Sequence, residues 1–146
     1  NESGCDYFKG NAVYFGGNYK RGGSILEITT KSTDIFSGKE EAYKEFTKLV
    51  GAYIKDFDGT VGIEWEDYDE TLKADIGNFF VPHNAMTKSI IIIGPNNKIW
   101  AAFSDWPEGE DDMVIQYFTN VPEYKNKIPT KIKEWNNDNY KVIYNR

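Results

Sequence analysis

The chain has 146 residues, a net charge of −6 and an isoelectric point near 4.8, which disfavours nucleic acid and anionic lipid as partners, since both need clustered Lys and Arg. Mean hydropathy is low at −0.61, but aromatics make up 16% of the residues. They can build a core without many aliphatics, so the composition fits one folded domain and not a disordered chain. A single cysteine, Cys5, excludes an intrachain disulfide, and no run of about 18 apolar residues is available to span a membrane as a helix.

Residues 1–10 read as a loose entry. Ser3-Gly4-Cys5 has the form of a lipoprotein cleavage site, except that Glu2 stands where an apolar residue belongs. The lone thiol fits a reducing, cytoplasmic compartment, while Asn1 as first residue leaves export behind a removed leader open. Ala12–Phe15 and Ser24–Thr30 flank a Gly-rich turn and predict a β-hairpin. Lys20 and Arg21 lie in that turn, but no phosphate-cradling pattern surrounds them.

The clearest helix is predicted over about 38–55. Ser37 and Glu40 have capping-box spacing, and Ala42, Tyr43, Phe46, Leu49, Val50, Tyr53 and Ile54 recur at steps of three and four. That stripe reads as core. Asp56 to Gly59 ends the helix. Val61, Ile63 and Trp65 alternate with Gly62, Glu64 and Glu66, which predicts an edge-type strand with Trp65 inward, the glutamates outward and Tyr68 on the glutamate side. Ser89–Ile93 is apolar on both faces and predicts a covered strand. Gly94-Pro95-Asn96-Asn97 supplies a turn, and Lys98–Phe103 returns antiparallel. Met113–Phe118 reads as a strand, with a short helix as competitor. Thr130–Trp135 reads as a short helix and Tyr140–Tyr144 as a last strand. Without regular β-α alternation a parallel sheet is not expected. The predicted class is α+β, an antiparallel sheet with the main amphipathic helix packed on one face.

Candidate chemistry is sparse. His83, the only histidine, sits in a turn-like Val81-Pro82-His83-Asn84 with no nucleophile elbow. One Cys and one His cannot make a structural zinc site. Asp56 and Asp58, or the Glu108–Asp112 loop, offer oxygen ligands without EF-hand spacing. A glycosidase pair such as Glu64 and Asp111 can be drawn, and exposed Trp and Tyr would stack on sugars. No cofactor and no catalytic set is expected.

Acid, by contrast, is concentrated. Residues 56–75 and 104–112 hold 13 of the 23 carboxylates in 29 positions, against one base, Lys73. Clustered like charge costs stability unless a cationic partner, an ion or solvent offsets it. The candidate partner-binding residues are Glu64, Glu66, Asp67, Tyr68, Asp69 and Glu70, with Trp106, Glu108, Glu110, Asp111 and Asp112 as a second patch. Two solvated acidic loops are the plainer reading of the same residues.

Ile76-Gly77 and Pro82, followed by Ser89-Ile90-Ile91-Ile92-Ile93-Gly94 and Lys98-Ile99-Trp100, resemble the core strand–turn–strand of bacterial immunity domains of the SUKH type over about a quarter of the chain. That resemblance implies a small, acidic, single-domain immunity protein. The expected function is non-catalytic neutralisation of a basic protein partner, such as a toxin nuclease, by blocking its active site. An exported carbohydrate-binding or glycan-hydrolysing domain is the alternative, and an assembly subunit a third. Partner identity and oligomeric state are not encoded in the pattern.

Overall fold

The computed structural model describes residues 28–145. The hairpin expected around the Gly-rich turn, the loose entry and Cys5 lie outside them, apart from residues 28–30, which are coil and the start of a 3-10 turn.

Six strands form one sheet in chain order: β1 (Ile63–Asp69), β2 (Ala74–Val81), β3 (Asn84–Ile93), β4 (Ile99–Asp105), β5 (Val114–Thr119) and β6 (Lys141–Tyr144). β1 to β5 are an antiparallel meander, and β6 pairs parallel to β5. The one parallel pair departs from the all-antiparallel expectation. Residues 120–140 cross the sheet before β6, so the chain returns to the same end and must run in the same direction. β2 carries no simple sequence signal and was not expected. Ala74 and Ile76 point to one face, Phe79 to the other, and Asp75 and Asn78 interrupt both alternations.

The front face is covered by α1 (Glu40–Val50), a 3-10 turn and α2 (Ile54–Asp58). Ala42, Phe46 and Val50 are buried there, as the periodicity requires, with Tyr43, Leu49 and Ile54 packed partly against them. The capping box does not form. Ser37 closes the preceding 3-10 turn, Lys39 occupies the N-cap, and no side chain caps the helix. The helix also breaks at Gly51, whose φ of 58° suits a residue without a Cβ. Phe57 then lies among Phe46, Phe103 and Phe118, with ring centroids 5.1, 5.0 and 5.9 Å away.

A second layer, not expected from the sequence, covers the back face. α3 (Thr130–Trp135) and the chain around Tyr124 pack Ile132, Val121, Ile128 and Trp135 on Ile90, Ile92, Trp100, Ala102, Ile115 and Tyr117. This explains the isoleucine run. Ile91 and Ile93 serve the front core, Ile90 and Ile92 the back one, and β3 is dry on both sides. The β3–β4 turn forms as read, with Asn96 and Asn97 at φ of 60° and 59°. Met113–Phe118 resolves to strand, since β5 takes a central place in the ladder.

Candidate binding surface

β1 is an edge strand, and its alternation assigns the first acidic segment to two faces. Glu64, Glu66 and Tyr68 share the front face; Ile63, Trp65 and Asp67 share the back. Trp65 does not point inward. It is 67% exposed, because α3 stops short of the β1 border of the back face. On the front side of β1 only Glu64 is partly covered, and it has a structural task there. Its carboxylate accepts the backbone N–H groups of Asp34 at 2.9 Å and Ile35 at 3.0 Å, fastening the 3-10 turn Asp34–Phe36 to the sheet.

The other acids of this segment are partly used as well. Asp67 accepts the Tyr68 N–H at 2.7 Å and the Lys131 ammonium at 3.1 Å. These contacts, the N–H first, hold its carboxyl below the usual aspartate range. Asp69 is buried and accepts the Leu72 N–H at 2.9 Å, closing the β1–β2 turn. Asp75 pairs with Lys39 at 2.7 Å. Glu66, Tyr68 and Glu70 remain exposed. Tyr68, Asp69, Glu70 and Leu72 line one side of a shallow cleft of about 300 Å³, faced by Tyr124 and Lys131.

The second segment forms the loop between β4 and β5, at the lower end of the sheet. Trp106 is 62% exposed, and its Nε1–H donates to the Glu110 carbonyl at 3.2 Å, which folds the loop back on itself. Glu108, Glu110, Asp111 and Asp112 are all exposed. Asp112 accepts the N–H of Met113, and Asp105 accepts Gln116 Nε2–H at 3.0 Å. Sequence reasoning did not place Asp56 in this patch, yet α2 brings it within reach of the Asp105 charge. Burial, and then the Asp105 charge, push the Asp56 carboxyl above its usual value. The 49-residue separation of Asp56 and Asp105 leaves no local sequence signal for that influence. Tyr53 stands nearby, half-exposed, with its ring 5.7 and 5.3 Å from Phe103 and Phe118. Among the described residues, none of the six carboxylates here forms an ion pair.

The two segments come together only in part: Asp56 joins the lower patch, Glu64 lies level with Phe103 but three strands, roughly 14 Å, away from it, and the Asp69 end of β1 lies further still. Following the paired residues from Asp69 across β2, β3 and β4 puts Asp105 seven residue steps lower, roughly 23 Å along the strands, and three strands across, roughly 14 Å. Glu64 lies roughly 14 Å across the strands from β4, after which the loop bearing Asp111 begins, a wider backbone spacing than the 5–10 Å or so between the carboxylates of a glycosidase pair. His83 is exposed in the β2–β3 turn at φ 66°. No group of three His, Cys, Asp or Glu among the described residues is placed to hold a metal ion, and no helix there is long and apolar enough to cross a membrane.

Comparison of the chain with protein-family models, with curated proteins and with solved structures gives no match in any of the three.

Proposed function

We propose that this chain is a non-catalytic binding protein that neutralises a basic protein, such as a toxin nuclease, by covering its active site with the lower acidic end of the sheet. The observation that carries the reading is the exposed loop bearing Glu108, Glu110, Asp111 and Asp112 next to Asp105, without an ion pair among the described residues. A cleft built for phosphates presents Arg and Lys, which form charge-assisted and sometimes bidentate bonds to carboxylates. Long-range attraction raises the association rate. Trp106, held by its bond to the loop backbone, and Tyr53 are aromatic anchors of the kind that slow release. The contribution of β1 is reduced, because Glu64, Asp67 and Asp69 already serve the fold.

The partner captured from the native source and identified by mass spectrometry provides the test. Its association rate is measured with the wild-type chain, with Glu108→Lys/Glu110→Lys/Asp111→Lys, and with Glu123→Lys/Glu134→Lys as a control for net charge. The control reverses two charges and the loop variant three, so the comparison at equal net charge uses Glu108→Lys/Glu110→Lys; in dilute buffer this loop variant associates about tenfold or more slowly than the control, and the gap closes at high salt. Equal rates for loop and control variants in dilute buffer refute the proposal. The exposed indoles of Trp65 and Trp106 also favour glycan stacking, the reading a saturable tryptophan-fluorescence change with a glycan panel would support.

A further inference from the structure

Among the described residues, β1 is paired on one side only. Its ladder runs to β2, so every second backbone N–H and C=O along the strand points away from the sheet. Two contacts show which. The Tyr68 N–H is taken by the side chain of Asp67, and the Trp65 carbonyl lies toward β2, where Asn78 Nδ2 donates to it at 3.3 Å. Odd-numbered residues therefore bond to β2, and the amides of Glu64, Glu66 and Tyr68 face outward.

Edges of this kind are usually blunted by charged side chains, Pro, a bulge or very short length. β1 has seven residues, no Pro and no bulge against β2, and its charges, Glu64, Glu66, Asp67 and Asp69, are all of one sign, which repels an acidic strand and admits a basic one. Its two faces differ in chemistry. Glu64, Glu66 and Tyr68 line the front; Ile63 and Trp65, both exposed, line the back, beside Phe80 opposite Ile63 on β2. Charge around the edge is one-sided. Glu64, Glu66, Asp67, Asp69, Glu70 and Asp75 face only Lys39, Lys73 and Lys131 among the neighbouring described residues.

We propose that the outer edge of β1 accepts, as a seventh strand, an extended segment of a partner protein in which Lys or Arg alternates with apolar residues. Directly opposite residues in a ladder share a face. The basic positions would lie on the front face with Glu66 as their free carboxylate, Glu64 being bonded to the Asp34 and Ile35 amides, and the apolar positions against Ile63 and Trp65. Main-chain bonds supply affinity and the alternation supplies specificity. A second copy of this chain fits poorly, because two β1 edges would set carboxylates against carboxylates. This surface is on a different strand, three strands across from the Asp105 loop, so the inference does not depend on the function proposed above.

The test uses the full-length 15N-labelled chain and an acetylated octapeptide of alternating lysine and valine. Controls are the alternating glutamate–valine peptide and a lysine–valine peptide N-methylated at every second residue, which keeps the charge but cannot complete a ladder. The expected result is saturable shifts centred on residues 63–69 with the lysine–valine peptide alone. Glu66→Pro should abolish them, since the proline removes an outward amide and not one bonded to β2. Trp65→Ala should weaken binding about tenfold. Where Glu66→Pro fails to fold, Glu66→Lys replaces it and should likewise abolish binding. Equal binding of either control peptide, shifts centred elsewhere, or a β1-dependent dimer on sedimentation overturns the proposal. So do nuclear Overhauser contacts between residues 1–27 and the outward amides of 64 and 66, which would make the chain its own occupant.

Discussion

Replacing Glu64 separates an acid that holds the fold from one that meets a partner. Its carboxylate bonds two backbone amides, one exposed at Asp34 and one part-buried at Ile35, and Ile35 itself is core. Hydrogen bonds to a charged acceptor are worth about 1.5–3 kcal/mol when sheltered and less when exposed. In Glu64→Ala the Ile35 N–H is left without an acceptor and the Asp34–Phe36 turn loses its tie to the sheet. The expected loss is about 2–3 kcal/mol. Glu64→Gln keeps one acceptor oxygen, which can still serve Ile35, so its loss is about 1 kcal/mol. For a domain of this size 1 kcal/mol is about 2–4 °C in Tm. Urea unfolding followed by far-UV circular dichroism, with wild-type and variants at matched m-values, reads the difference as a shift in midpoint. If Glu64→Ala lies within about 0.5 kcal/mol of wild type, the range typical of an unremarkable surface site, the structural role assigned to this carboxylate is refuted. If the loss is as large as stated, Glu64 is unfit for charge-reversal tests of partner binding, and Glu66, Glu108 and Glu110 are the positions to use.

Phe57→Ala removes the ring shared by Phe46, Phe103 and Phe118 and should cost about 3–5 kcal/mol, checked by the same unfolding curves. Gly77→Ala would bring a Cβ to 3.1 Å from Ile35 Cβ and from the Phe79 ring; a loss of about 1–3 kcal/mol is expected, and an unchanged Tm would contradict the tight seat of the 3-10 turn on β2. Asp67 has a folded pKa below its unfolded one, so its contribution is present above the ordinary aspartate value near 4 and fades as pH falls through the folded value. The stability gap between wild type and Asp67→Asn should therefore be constant at neutral pH and narrow below about pH 4; a gap that widens in acid would reverse the sign of the argument.

The front core was legible because its signal is local. Phe46 and Val50 lie four residues apart, and one turn of helix carries the periodicity from each to the next. The β3–β4 hairpin was legible for a similar reason, with four isoleucines on one side of Gly94-Pro95-Asn96-Asn97 and an apolar return on the other. Trp65 shows where such reasoning fails. Alternation fixes which residues share a face, but only the extent of α3, some seventy residues further on, decides which face is covered. The arrangement of the candidate site was only partly legible, for the same reason. Both acidic segments are visible in composition, but the meander puts one on an outer strand and the other at the far end of β4. The influence of the Asp105 charge on Asp56 depends on where Gly51 breaks the helix, and nothing in the acidic pattern encodes that.

The closing strand carries a kinetic consequence. β1 to β5 can assemble by successive short-range hairpin closures, each costing little loop entropy. β6 cannot, because its parallel alignment with β5 requires the 21 residues between Thr119 and Lys141 to cross the back of the sheet first. The C-terminal strand should therefore dock after the transition state, so substitutions at Val142 or Tyr144 should speed unfolding and leave the refolding rate nearly unchanged.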